Sequence, residues 1–314
     1  MKIIHLRNIL AIAEQGSLRA AARKLELAQP ALSRSVQELE HELGTPLFER
    51  RTRGMTLTPV GIAFVERAKT IMAEIRKARE EAEQLAGGTT GNVKIVLSVV
   101  AHFSIAPKVL RPFAKRYPNV QLQIIEGLYT NAEKGLKDSE FDFYVGPPPE
   151  HSLPAKFVSE KLFDNERKVF CRKDHPLAGA KSIKELANAS WMTTSITHSA
   201  QNELAELFRR YHLPLPRLAI RSQSALTFMT ALAYSDCIAF LPVQWASFPL
   251  ISSQLAIINI KEVAPAPPVV IVKRSDMPLT PAAEFLLDLI RRSKVAPGAQ
   301  SKPRKKPPAT KRNL

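Results

Sequence analysis

The apolar positions recur at helical spacing through the first third of the chain and change to strand-like runs beyond it. Leu6, Ile9, Leu10 and Ala13 share one face of a first helix. Gln15-Gly16-Ser17 then breaks the pattern, and Ser17 is placed to cap a second helix carrying Leu18, Ala21, Ala22 and Leu25. Leu32, Val36, Leu39 and Leu43 follow at i, i+4, i+7 and i+11, which predicts a third helix with Gln29, Ser33, Arg34 and Gln37 on its other faces. Pro30 suits the first turn of that helix, Gly44 stops it, and Pro46 to Thr58 reads as a hairpin with Arg53-Gly54 at its tip.

A single long helix is predicted from Pro59 to about Ala86, capped by Thr58. Phe64, Ala68, Ile71, Ile75, Ala78, Ala82 and Leu85 alternate steps of four and three, a heptad seam that needs a partner helix. Arg76/Glu80 and Lys77/Glu81 are expected as exposed i, i+4 pairs worth tenths of a kcal/mol. Gly87 to Gly91 reads as a flexible joint.

From residue 92 to about 293 strand and helix signals alternate. Strands are predicted at Val93–Val100, Val120–Glu126, Phe141–Val145, Lys168–Arg172, Trp191–Thr194, Arg217–Arg221, Cys237–Leu241 and Val269–Lys273. Helices are predicted at Pro107–Arg116, Ala132–Lys137, Ile183–Ala187, Ala200–Tyr211, Ala225–Ala233 and Pro281–Arg292, the last capped by Thr280. That order implies an α/β fold with parallel strands. Residues 293–314 are Lys, Arg, Pro, Ala and Ser with almost no apolar bulk, and are expected to be a disordered basic tail.

The 314 residues suffice for two domains, and the formal net charge of +16 points to a polyanionic partner. Nine basic and no acidic residues lie from Arg291 onward, so the rest of the chain carries only +7. No apolar run is long enough to span a bilayer, and Met1 to Leu10 has no unbroken apolar core of the signal-peptide kind, so a cytoplasmic protein without a membrane partner is expected. Cys171 and Cys237 are too few for a disulfide framework and are read as reduced core residues. No nucleophile elbow, phosphate loop, His-Glu-x-x-His or Cys-x-x-Cys occurs, so neither an enzyme nor a metal site is expected.

A helix, a tight turn and a second helix beginning with short polar side chains suit reading of the DNA major groove, and Arg50, Arg51 and Arg53 can pair with phosphates. The run from Gly16-Ser17-Leu18-Arg19-Ala20-Ala21-Ala22 through Leu27-Ala28-Gln29-Pro30-Ala31-Leu32-Ser33-Arg34 to Leu47-Phe48-Glu49-Arg50 and Leu57-Thr58-Pro59 closely resembles the N-terminal signature of LysR-type transcriptional regulators. The likeness continues more weakly to about residue 292. It implies an N-terminal all-α winged helix-turn-helix (1–58), a dimerising linker helix and hinge (59–91), and an α/β two-lobed effector domain like a periplasmic binding protein. Lobe 1 would comprise 92–161 and 268–292, and lobe 2 would comprise 162–267.

By the same resemblance Gln29, Pro30, Ser33 and Arg34 face DNA, with Arg50 and Arg53 on the wing. The implied partners are double-stranded DNA with a pseudo-palindromic promoter site, further copies of the chain in a homodimer or homotetramer, and RNA polymerase. The family's usual Ser or Thr before Gln-Pro is Ala28 here, a lost cap worth about 1 kcal/mol.

No cofactor is implied beyond a small-molecule co-inducer held between the lobes, either a less charged compound or an organic anion held by backbone N–H groups alone. Ser98, Thr130, Ser195 and Thr197 are candidate polar contacts, with Val100, His102, Phe103, Tyr129 and Pro147 as further effector-binding positions. The strand Val93–Val100 is read as leading through Ala101-His102-Phe103 to Ser104 at the start of a helix. Related acid-sensing members carry arginine at the position of Pro147, so this cleft is expected to lack a guanidinium clamp. The loop beginning at Ser98 resembles that of a subgroup that includes regulators of aromatic sulfonate degradation.

Overall fold

The computed structural model describes residues 1–51, 54–193, 198–222, 224–262 and 265–293. Three helices, α1 (Ile3–Gln15), α2 (Leu18–Leu25) and α3 (Gln29–Leu43), pack around Ile9, Ile12, Ala21, Leu32 and Leu39. The Ser17 hydroxyl accepts from Ala20 N at 3.4 Å, whereas Ala28 offers α3 no side-chain cap. Gly44 ends α3 at φ +68°, a left-handed position that costs glycine nothing. The wing is β1 (Phe48–Arg51) paired antiparallel with β2 (Gly54–Leu57). It is tied back to the α1–α2 turn by the Met55 N to Gly16 O hydrogen bond of 2.8 Å.

Helix α4 (Pro59–Leu85) begins as expected, with Thr58 Oγ1 accepting from Gly61 N at 2.9 Å while its hydroxyl donates to Pro46 O at 2.9 Å. Thr58 is buried, so both bonds form away from water. Thr58→Ala is expected to destabilise the DNA-binding unit by about 1–2 kcal/mol, readable as a lower urea midpoint.

The seam on α4 is largely bare: Ile71 is 40% exposed, Leu85 73%, and Ala78 and Ala82 are also only partly covered or exposed. The polar face is the one that the rest of the chain covers, contrary to the expectation of exposed i, i+4 pairs. Lys77 is buried and its Nζ lies 2.8 Å from Asp142 Oδ1, so it does not pair with Glu81. Glu80 pairs with Arg76 at 2.9 Å and accepts from Asn92 Nδ2 at 3.2 Å. Gln84 donates to Thr90 O and accepts from Ala282 N, both at 2.9 Å. Nearer its start, Glu66 forms an ion pair with Lys134, and this with Lys69 holds the Glu66 carboxyl down at about 2.

Beyond α4 come β3 (Thr90–Leu97), α5 (Val99–Ser104), α6 (Ala106–Arg116), β4 (Asn119–Glu126), α7 (Tyr129–Lys137), β5 (Phe143–Gly146) and β6 (Phe157–Arg172). After a short 3-10 turn at Ile183–Leu186 follow β7 (Ser190–Thr193), α8 (His198–Arg210), β8 (Arg217–Arg221), α9 (Ala225–Ala233) and β9 (Cys237–Pro242). A second 3-10 turn (Val243–Ser247), α10 (Pro249–Ser252), β10 (Leu255–Ile258), β11 (Pro265–Arg274) and α11 (Pro281–Arg292) complete the described chain.

The sheet order is β4-β3-β5-β11-β6-β9-β7-β8, with β10 beside β6. Pairing of β3 with β4 and β5, and of β7 with β8 and β9, is parallel as predicted, but β6, β10 and β11 run antiparallel to their neighbours. The sheet is therefore mixed.

The lobes meet within β6. Residues up to Glu166 pair with β11, and from Arg167 onward the partner is β9, so the strand hands over between them. In lobe 1, α6 and α11 cover one face of the sheet around Phe113, Phe143 and Leu286, and α7 covers the other around Tyr144 and Val272. In lobe 2, α8 packs over Trp191 and Phe208 on one face, while α9 and the second 3-10 turn pack over Phe228 and Trp245 on the other. Cys171 and Cys237 are both buried free thiols, and burial pushes Cys171 up to about 11, which leaves it uncharged and inert. Among the described residues no helix is long and apolar enough to cross a membrane.

Candidate DNA-binding face and effector cleft

At the start of α3, Gln29, Pro30 and Arg34 are exposed and Ser33 is half-buried. The apolar stripe Leu32, Val36 and Leu39 faces the core, and the helical period therefore turns 29, 30, 33 and 34 outward. None of the Gln29, Ser33 and Arg34 side chains makes a hydrogen bond or ion pair with another described residue. On the wing, Arg51 is engaged by Glu49 at 2.6 Å, and Arg50 lies in β1. Arg53 lies outside the described residues.

Between the lobes lies a cavity of about 560 Å³, the size of a small organic ligand. Ser98, Val100, Tyr129, Thr130 and Pro147 line it. Ser195 and Thr197 lie outside the described residues. His102 and Phe103 do not line it, and the reason is that the predicted strand ends early. Strand β3 stops at Leu97, where Ser98 caps α5 by accepting from Ala101 N, so Val99 and Val100 are helical and Ser104 ends that helix rather than starting one. His102 Nδ1 donates to Ser98 O at 3.1 Å along the helix. Phe103 points behind the cleft wall, its ring centroid 5.2 Å from Trp245 and 5.0 Å from Phe248, and so joins α5 of lobe 1 to lobe 2.

The cleft also holds residues that sequence reading missed. Phe228, Phe240 and Trp245 form an apolar wall, while Asn165, Arg167 and Glu203 supply polar groups. The expectation of a cleft without guanidinium is thus corrected: position 147 carries none, but Arg167 enters from β6 at the lobe handover. Its Nη2 lies 2.7 Å from Glu203 Oε2 on α8, without hydrogen-bond alignment, and its guanidinium carbon is 5.9 Å from the Phe240 ring centroid.

Burial lowers the Arg167 pKa, with Glu203 opposing. Burial also pushes the Glu203 carboxyl above its ordinary value, with Arg167 opposing and Glu150 adding to the rise. At the start of α7, burial raises the Tyr129 phenol, which keeps its proton and remains a donor at neutral pH. Tyr144 is similarly raised by burial, and its hydroxyl donates to Pro147 O at 3.0 Å.

A helix-turn-helix with a two-stranded wing, joined by a long helix to a two-lobed mixed α/β body with a cleft between its lobes, defines a ligand-responsive DNA-binding protein. Residues 3–62 match the bacterial regulatory helix-turn-helix protein, lysR family, and residues 86–294 match the LysR substrate binding domain. The chain belongs to the LysR family and is a DNA-binding transcriptional regulator with a substrate-binding effector domain.

It is 26% identical over 295 residues to the transcriptional regulator GbpR of Azospirillum brasilense, covering 93% of this chain and 86% of that one. To TdcA of Escherichia coli it is 22% identical over 290 residues, 92% of each chain. With the crystal structure of full-length CbnR complexed with its target DNA it shares a TM-score of 0.67 at 20% identity, over 93% of this chain and all of that one. A full-length OxyR variant of Pseudomonas aeruginosa gives a TM-score of 0.64 at 22% identity, over 93% of this chain and 94% of that one.

Proposed function

We propose that this regulator binds a pseudo-palindromic promoter site as a homodimer or homotetramer, and that a small molecule closing the cleft alters DNA bending and the recruitment of RNA polymerase in the cytoplasm. The observation that carries the reading is the polar start of α3, whose Gln29, Ser33 and Arg34 have no partner within the described chain and so are free for base edges and phosphates. Arg50 and Arg53 add wing contacts. CbnR, whose structure was solved with its target DNA, supports the docking mode. Residues 1–58 read DNA, 59–91 link and dimerise, 92–161 with 268–292 and 162–267 form the two lobes, and the basic tail from 293 adds nonspecific affinity.

The bare α4 seam supports dimerisation. Ile71→Glu with Ile75→Glu is expected to convert the protein to monomer, measured as mass by light scattering.

The co-inducer carries an anionic group, received by Arg167 and the Tyr129 hydroxyl, with Ser98, Val100, Thr130 and Pro147 around it; Ser195 and Thr197 belong to the same proposal. The resemblance at Ser98 to the aromatic-sulfonate subgroup makes a sulfonate the alternative against which any more specific reading of the cleft is tested. A ligand shifts the regulator only by binding its two states unequally, so the effector must engage both lobes. The test is binding to the DNA upstream of this chain's gene against a scrambled duplex at about 0.15 M salt. Preference for the native duplex supports the reading, and equal binding there and across a wider footprinted region overturns it.

A further inference from the structure

We propose that the cleft takes a zwitterionic amino acid with a bulky apolar side chain, its carboxylate on Arg167 and Tyr129 and its ammonium on Glu203 and Glu150. This deepens the effector reading above and rests on it.

Three buried polar atoms without a hydrogen-bond partner, Arg167 Nε, Glu203 Oε2 and the Tyr129 hydroxyl oxygen, all belong to residues that line this one cavity. A buried polar atom without a hydrogen-bond partner is costly, so their gathering marks a place for a ligand that supplies the missing partners. Their chemistry is of two kinds. Arg167 Nε–H and the Tyr129 O–H are donors that call for an acceptor, whereas the Glu203 carboxylate calls for a donor. Because the 2.7 Å contact of Arg167 with Glu203 lacks hydrogen-bond alignment, each keeps capacity for a ligand without the pair being separated.

Charge decides between a plain anion and a zwitterion. Among the described lining residues the charged ones are Arg167, Glu203 and Glu150, two carboxylates against one guanidinium. A lone carboxylate or sulfonate would approach Arg167 while being repelled by Glu203. An ammonium on the same molecule cancels that repulsion and satisfies Glu203. The apolar lining, with Phe228, Phe240 and Trp245, receives an apolar body, and about 560 Å³ accommodates an aromatic side chain.

The experiment is calorimetric titration of the full chain with three isosteric probes: L-tryptophan, indole-3-propionate, which lacks the amine, and tryptamine, which lacks the carboxylate. The same set is run with L-phenylalanine, 3-phenylpropionate and phenethylamine, and benzenesulfonate is included. At least one of the two amino acids is expected to bind ten-fold or more tightly than either of its single-charge analogues. Glu203→Gln should erase the advantage over the propionate, and Arg167→Gln the advantage over the amine, with both variants retaining the parent circular-dichroism melt within a few degrees.

Binding of a propionate or benzenesulfonate as tightly as the amino acids overturns the zwitterion while leaving the cleft an effector site. No binding by either amino acid also overturns it. Failure of the regulator reading itself shows separately, as equal affinity for native and scrambled duplexes.

Discussion

Asp142→Ala is expected to lower the unfolding free energy of the effector domain by about 3–5 kcal/mol, the usual cost of leaving one member of a buried ion pair without its partner. Lys77 and Asp142 are both buried, 2.8 Å apart, and Asp142 Oδ2 also accepts from Lys94 N at 2.9 Å. The variant strands an ammonium on α4 against lobe 1 and frees the Lys94 amide. Urea unfolding followed by circular dichroism gives the loss directly. A double variant, Lys77→Met with Asp142→Leu, should recover a large part of it, because apolar replacements remove both desolvation costs together. A single variant within about 1 kcal/mol of the parent would mean that water reaches the pair and that α4 is not docked through it.

The largest effect on binding is expected at the start of α3. Ser33→Ala with Arg34→Ala should weaken binding to the native operator by about 100-fold or more, at about 1–3 kcal/mol for each well-formed base contact, and leave the scrambled duplex nearly unaffected. Neither side chain contacts the remainder of the described fold through a hydrogen bond or ion pair, so the melting temperature should not move. Electrophoretic titration of both duplexes reads the ratio. Loss of affinity for both duplexes in equal measure would place the contacts on phosphates rather than bases.

The N-terminal helices were legible because each carries its own punctuation: Ser17 before α2, Pro30 and Gly44 around α3, Thr58 and Pro59 before α4. Those signals are local, and local signals survive in a bare sequence. Strand β6 was legible only in its second half, because Ser159, Glu160, Lys161, Asp164 and Asn165 hide the alternation of its first half. The short α5 was missed because Val99 and Val100 continue the apolar run of β3, although Ser98 is a cap residue in plain sight.

The docking of α4 depends on a partner far along the chain. Nothing near Lys77 distinguishes a buried ammonium from an exposed one, and the pairing with Asp142 exists only once the sheet brings β5 beside β3. The cleft shows the same limit. Ser98, Val100, Tyr129, Thr130 and Pro147 are nominated through the family resemblance, whereas Arg167 and Glu203, which line the same cavity, come from a strand and a helix whose faces meet only in three dimensions.

The handover inside β6 has a consequence for how such a regulator diversifies. Arg167 is both a wall of the cleft and the first residue of β6 to pair with β9, opposite Pro242. A substitution there that retunes which molecule is recognised acts at the same time on the stiffness of the joint between the lobes. New specificity and altered responsiveness are therefore inherited together at this position, while Phe228, which reaches the cleft from α9 outside the shared strand, can be exchanged to reshape the pocket without touching the hinge.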